Sequence, residues 1–360
     1  MRTQTAAGTV VVGMSGGVDS SAAALLLKEQ GYRVIGATMQ IWQEEDPEEI
    51  SGNGGCCGLS AVDDARRVCE TIGIPHYVMN FRREFRENVI DYFVLEYRCG
   101  RTPNPCIACN RYVKWEALLK RSMEIGADYI ATGHYAKIVR LANGRKTILR
   151  EGRKDQSYAL YNLTQEQLSR TLFPVGGLEK EEVRRLAEKA GLPVAHKPDS
   201  QEICFVPDQD YAGFIREYTG EEDIPGNYVD ISGKVLGKHR GITHYTIGQR
   251  KRLGLSMGHP VFVTKIDPDR NEIVIGENED LLSCEVTAGN VNWMAEEGIT
   301  EPVRVTGKIR YNHAGSPATL FPEENGVIRC LFDEPQRAAT PGQAAVFYRD
   351  GGILCGGTIL

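Results

Sequence analysis

Three short stretches of the 360-residue chain hold residue types whose spacing can do chemistry. In SGGVDS, residues 15–20, two hydroxyls, two glycines and a carboxylate join the apolar run Thr9–Val12 to an alanine- and leucine-rich run from Ser20 to Gln30. Glycines leave backbone N–H groups without steric cover, and a helix starting there turns its positive end to the same point, so this turn is an anion site. A loop built for γ-phosphoryl transfer ends in Gly-Lys-Ser or Gly-Lys-Thr, whereas the next lysine here is Lys28, a helix length away. The plain alternative is a tight turn that holds nothing. In NPCIACN, residues 104–110, Cys106 and Cys109 follow Pro103 and Pro105, which favour extended chain, while a periodic run opens at Asn110. That predicts both cysteines on a loop and the first turn of a helix, where a thiol loses its proton readily and becomes a nucleophile or metal ligand. The pair could also be redox-active or half of a zinc site, but no second CxxC follows and zinc would have to recruit Cys204 and one more ligand. In KPDSQEICFVP, residues 197–207, Cys204 sits in a polar, proline-bounded segment unlike a core strand. The other cysteines, Cys56, Cys57, Cys69, Cys99, Cys284, Cys330 and Cys355, take the default reading of small apolar filler.

The elements that must position these residues alternate strand and helix. After the first unit come YRVIGATMQIW (32–42) as a strand, LSAVDDARRVCETIG (59–73) as an amphipathic helix stopped by Gly73, and PHYVMNF (75–81) as a strand. FRENVIDYFVLEYR (85–98) reads as a helix and ADYIATGHYAKIVR (127–140) as a further strand with a Gly-His turn, where ligands of open α/β sheets gather. The acidic, glycine-rich stretch 44–57 reads as a mobile loop. The fold class is therefore α/β, with a doubly wound parallel-sheet domain over residues 1–205. From Ile231 to Ile266 there are seven Lys or Arg and no Asp or Glu, densest in GQRKRLG, a candidate phosphate-contact surface within a small central domain over residues 206–283. Alternating β-branched runs between glycine and proline turns make residues 284–360 a small β-barrel. Net charge of −6 argues against a generally basic coat, and no apolar run approaches the roughly 20 residues a bilayer requires. The start MRTQTAAGTV lacks a secretory pattern, so the expected location is the cytoplasm, with no membrane partner and no disulfide framework.

SGGVDS resembles the pyrophosphate-loop signature of enzymes that split ATP between its α and β phosphates. Together with NPCIACN, ATGHYAKI (131–138), KDQSYALYNL (154–163) and SQEICFVP, it makes the chain similar, over essentially its whole length, to the bacterial tRNA-specific 2-thiouridylase family. That resemblance implies adenylation of O2 of uridine 34 in the tRNA wobble position and its replacement by sulfur, with release of AMP and pyrophosphate. It implies ATP and Mg²⁺ as cofactors, bound at Gly13, Met14, Ser15, Gly16, Gly17, Val18, Asp19 and Ser20, with Met39 and Gly133 against the nucleotide. Cys109 aligns with the family's nucleophile and Cys204 with the cysteine carrying persulfide sulfur. Asn104, Pro105, Cys106, His134, Lys154, Asp155, Gln156, Arg310, Tyr311 and Gln343 match positions of tRNA contact. One departure is Cys106, where the commoner pattern has an aspartate with an acid/base role that a thiol of pKa about 8.5 performs poorly near neutral pH. Cys106, Cys109 and Cys204 also resemble the three-cysteine set of related enzymes that hold a [4Fe–4S] cluster with one open iron. Both sulfur routes stand open, the donor being a persulfide-carrying protein or sulfide. Another AMP-forming enzyme, such as an amidotransferase or a lysidine-type ligase, would leave the three cysteines idle, and a non-catalytic ATP or iron–sulfur sensor would leave the RNA-facing domains without a task.

Overall fold

TVVVG has no polar alternation, as a strand buried on both faces requires, and it forms the middle strand of a parallel sheet. In the computed structural model, which describes residues 7–41, 59–198 and 203–360, this strand is β1 (Thr9–Gly13). It pairs with β2 (Arg33–Gln40) on one side and β4 (Tyr129–Ala131) on the other, and β3 (His76–Asn80) and β7 (Thr171–Leu172) complete the order β3-β2-β1-β4-β7, parallel throughout. Helix α1 (Val18–Glu29) lies on β1 through Ala22, Ala23, Ala24 and Leu27, whose small side chains allow close approach; α2 (Leu59–Ile72) adds Ala65 and Val68 to the same core. Gly73 ends α2 at φ +73°, the left-handed geometry expected of a helix stop. The expected loop over 44–57, with Cys56 and Cys57, lies outside the described residues, as do residues 199–202 of the Cys204 segment.

Two expectations change. The strand read across 127–140 is two strands, because Thr132–Ala136 leave the sheet after β4 and the chain returns as β5 (Lys137–Arg140), antiparallel to β6 (Lys146–Leu149). The helix expected from Asn110 starts at Pro105 and continues as Pro105–Ala108, a π-helical stretch Cys109–Leu118 and Leu119–Glu124. Proline suits the first helical position, where its missing N–H would find no intrahelical acceptor anyway. Cys106 and Cys109 are therefore both helical.

Contacts divide the chain into two units, one of Met1–Val89, Cys106–Pro207 and Gly351–Ile353, the other of Ile90–Pro105, Asp208–Asp350 and Leu354–Leu360. The second contains a four-stranded sheet of order β10-β11-β8-β9, from β8 (Gly226–Asp230), β9 (Val235–His239), β10 (Phe262–Asp267) and β11 (Glu272–Gly276). It also contains the C-terminal barrel of β12 (Leu282–Trp293), β13 (Val303–Lys308), β14 (Ser316–Pro322), β15 (Ile328–Arg337), β16 (Ala344–Arg349) and, from Leu354 on, β17 (Gly352–Ile359). The β12–β17 pairing closes that antiparallel barrel, as the alternation after residue 284 predicts. Among the described residues no helix is long and apolar enough to cross a membrane.

Candidate nucleotide and sulfur site

The turn after β1 is held by its own hydroxyls. Ser15 N–H donates to Ser20 Oγ at 3.2 Å, while the Ser20 and Ser21 hydroxyls donate to Gly17 O at 3.2 and 2.8 Å. Gly17 caps α1 without a side chain, which leaves the first-turn N–H groups to an incoming acceptor. Gly16 is obligatory on two counts: φ is +67°, and a Cβ would lie 2.5 Å from Ala61 O. Gly133, just beyond β4, backs the same turn, since a Cβ there would come within 2.5 Å of both Asp19 C and Ser20 N. Met39 stands near the carboxyl end of β2, half-buried.

Asp19, the second residue of α1, is gripped from elsewhere in the chain. Lys180 Nζ donates to Oδ1 at 2.7 Å and to Oδ2 at 2.9 Å, and the Tyr135 hydroxyl donates to Oδ1 at 2.7 Å. Lys154 Nζ stands 3.8 Å from Oδ2 and 5.1 Å from the Tyr135 ring centroid. Gln156 braces Tyr135 by a reciprocal pair, Tyr135 N–H to Gln156 Oε1 at 2.9 Å and Gln156 N–H to Tyr135 O at 3.0 Å. Asp155 accepts from the backbone and hydroxyl of Ser157, each at 3.0 Å, and so starts the following 3₁₀ turn. Lys197 Nζ donates to Gly16 O at 3.2 Å and to Asp64 Oδ2 at 2.7 Å, tying the loop to α2. Sequence reasoning missed Tyr135, Lys180, Lys197 and Asp64. Tyr135 and Lys197 lie inside the motifs quoted above, whereas nothing around Lys180 marks it.

His134 follows Gly133 and is half-buried between Trp115 and Phe173, with ring centroids 5.6 and 6.0 Å away, and its Nδ1 shares a 2.7 Å hydrogen bond with Thr132 Oγ1. Desolvation, then the charge of Lys114, hold its pKa well below the ordinary 6.5, so it is neutral at pH 7. An imidazole kept neutral in the fold protonates first in the unfolded chain, so as pH falls from 6.5 toward the lower folded value the unfolded state takes up the extra proton and stability is lost. A melting-temperature series from about pH 7.5 down to about pH 5 should therefore fall less steeply for His134→Asn than for the parent chain; parallel slopes would show that His134 does not titrate this way.

Cys106 is exposed, and Cys109 and Cys204 are half-buried. Cys109 opens the π-helical stretch, a geometry that recurs at functional sites. The Cys204 segment is anchored by buried Phe205, packed edge-on to Phe85 at 5.7 Å. By contrast Cys69, Cys330 and Cys355 are buried; desolvation, helped by Glu70, pushes the Cys69 thiol to about 11, and burial alone pushes Cys330 to about 12, which keeps both inert. No three His, Cys, Asp or Glu side chains among the described residues are gathered so as to hold a metal ion. The trio Cys106, Cys109 and Cys204 is thus not assembled as a cluster site in this arrangement.

In the second unit, Gln343 Nε2 donates to Thr102 O at 2.9 Å and Pro103 O at 3.3 Å, and Thr102 N–H donates to Pro341 O at 2.9 Å, so the barrel's Pro-Gly-Gln turn holds the extended chain ahead of Asn104 and Pro105. Gly342 is needed there, with φ +88° and Thr102 N 3.0 Å from where a Cβ would be. Arg310 and Tyr311 are exposed, the former donating to Arg337 O at 3.0 Å. Arg250, Lys251 and Arg252 are exposed on a loop fixed by buried Leu253, whose carbonyl accepts from the Tyr228 hydroxyl at 2.8 Å.

Comparison with known proteins adds three family matches in order along the chain: a tRNA methyl transferase HUP domain over residues 8–208, a tRNA methyl transferase PRC-barrel domain over 212–277 and an aminomethyltransferase beta-barrel domain over 283–359. The chain is 63% identical to the tRNA-specific 2-thiouridylase MnmA of Lachnoclostridium phytofermentans, covering 98% of this chain and 99% of that protein. It is 55% identical to the protein of that name from Acetivibrio thermocellus over 98% of each chain, and 54% identical to that of Clostridioides difficile over 98% of this chain and 97% of the other.

Proposed function

The chain belongs to the tRNA-specific 2-thiouridylase family, and from that premise we propose that it uses ATP to replace O2 of uridine 34 in tRNA with sulfur. The observation that carries this reading is that one compact unit contains both an anion loop with no lysine of its own and the helix-borne thiols of NPCIACN with Cys204. A methyl transfer, as the family-domain wording would have it, gives neither the loop nor the thiols a task.

A carbonyl oxygen leaves badly, so it is first converted to a phosphoryl ester. Uridine O2 attacks the α-phosphorus, the bond from that phosphorus to the α–β bridging oxygen breaks, and pyrophosphate departs with the electron pair while N3 gives up its proton. Ser15, the first-turn N–H groups of α1 and Gly133 form the cradle for the nucleotide, with Met14, Val18 and Met39 beside it; Asp19, whose two oxygens Lys180 occupies, would hold Mg²⁺ only once Lys180 releases them. In the second step the terminal sulfur of a Cys204 persulfide, charged by a persulfide-carrying protein, attacks C2, the C2–O2 bond breaks and AMP leaves. Cys109 thiolate then attacks Cys204 Sγ, which leaves the sulfur on C2 with the bonding pair and joins the two cysteines as a disulfide that an external dithiol reduces. This route needs two thiols, whereas a [4Fe–4S] cluster needs three on one metal group, which the described side chains do not offer, and no step passes through a cluster. The domain division is 1–205, 206–283 and 284–360. Asn104, Pro105, His134, Asp155, Gln156, Arg310, Tyr311, Gln343 and the Arg250–Arg252 loop take the RNA, and the enzyme works in the cytoplasm.

The test is AMP formation from ATP with and without unmodified tRNA bearing uridine 34. Stimulation by that tRNA, abolished when position 34 is cytidine, is expected. AMP formation driven by a small amine substrate instead, or none with any RNA, would overturn the reading.

A further inference from the structure

An anion loop that splits ATP between its α and β phosphates must carry the charge that gathers on the leaving pyrophosphate, and SGGVDS offers only neutral donors for that work. Lys28, the next lysine in the sequence, is occupied at the other end of α1, donating to Ile72 O and, at 3.3 Å, to Gly73 O. Three lysines from distant segments come to the loop instead; Lys197 is held to Gly16 O and Asp64, and the other two meet at Asp19. Lys180, first residue of the helix Lys180–Lys189, reaches both carboxylate oxygens of Asp19, and Lys154 approaches the same carboxylate across the Tyr135 ring. Asp19 belongs to the first turn of α1, so an ammonium bonded to its carboxylate is already beside the point where the loop receives an anion.

Resting on the ATP chemistry proposed above, we infer that Lys180, seconded by Lys154, is a pyrophosphate-binding residue that takes the place of the lysine missing from the loop. The Lys180 side chain is 15% exposed and that of Lys154 32%, so neither charge is fully screened by water, and Lys180, the more enclosed, carries the larger share. Asp19 holds the Lys180 ammonium directly and Tyr135 steadies that carboxylate, and the inference requires Lys180 to turn from Asp19 to a phosphoryl oxygen. Lys154, matched by family resemblance to an RNA contact, then serves the nucleotide.

Equilibrium binding of inorganic pyrophosphate and of AMP, each without added metal, separates this role from a strut under the loop. In the full-length Lys180→Met protein, affinity for pyrophosphate should fall about tenfold or more while that for AMP stays unchanged, and Lys180→Arg should recover most of the loss. The tRNA-stimulated rate of AMP formation should fall about a hundredfold in Lys180→Met, with a smaller change in KM for ATP. Equal loss of AMP and pyrophosphate affinity would make Lys180 a structural support and overturn the inference, as would unchanged pyrophosphate binding. Should the parent protein bind both ligands yet form no AMP with tRNA, the functional reading fails on its own while the Lys180 comparison still stands.

Discussion

Gly133→Ala is expected to cost about a hundredfold in kcat/KM for ATP while leaving the melting temperature within a few degrees of the parent. The added methyl would sit 2.5 Å from two backbone atoms of α1's first turn, Asp19 C and Ser20 N, and no rotamer change relieves a collision with backbone. The first turn has to retreat, and with it go the N–H groups and the Asp19 carboxylate that the proposed reaction brings to the nucleotide. Nucleotide binding by calorimetry and tRNA-dependent AMP formation give the readout. Gly16→Ala should be worse, because the collision with Ala61 O comes on top of a left-handed backbone that disfavours a side chain by about 1–2 kcal/mol. Parent-like ATP affinity in the Gly133→Ala protein would mean that the nucleotide sits elsewhere.

What the sequence made legible here was what lies close together along it. The apolar run of β1, the glycine turn and the alanine-rich α1 are contiguous, so their geometry follows from local preferences, and the barrel follows from alternation repeated over six strands. Its closure through β12 and β17 adds nothing to the local pattern. The start of the cysteine-bearing helix is ambiguous in the sequence because Pro105 signals both an extended predecessor and a first helical residue, and only the following backbone hydrogen bonds decide between them. The grip on Asp19 was out of reach for a different reason. Lys180 lies 161 residues away, at the head of a helix whose sequence, KEEVRRLAEK, reads as an ordinary amphipathic surface helix. Lys154 was visible only as part of KDQ, and nothing in that motif shows that its ammonium stands 3.8 Å from the Asp19 carboxylate. Gln343 is similar: its match to a tRNA-contact position says nothing of its hydrogen bonds to Thr102 and Pro103, through which the barrel steadies the chain that leads to the CxxC pair.

The two sulfur routes part at Cys106. The persulfide route uses Cys109 and Cys204 alone, so serine at either position should abolish thiolation while tRNA-dependent AMP formation continues, because the nucleotide loop is built from other residues. Cys106 is exposed on the turn before Cys109, and the persulfide route gives its thiol no sulfur to carry. Cys106→Asp introduces the acid/base group of the commoner motif and should retain or raise the thiolation rate, measured as 2-thiouridine formed per AMP released. Cys106→Ser, which removes the thiol without supplying a better acid, should keep a reduced but measurable rate. A cluster route reverses this order, since all three thiols would then be equivalent ligands: Cys106→Ser and Cys106→Asp would be as inactive as Cys109→Ser, and protein purified without oxygen would lose its iron and its brown colour together with activity. Full thiolation by Cys106→Asp with no iron bound therefore excludes the cluster, and an inactive, colourless Cys106→Asp that still forms AMP excludes the persulfide route in this chain.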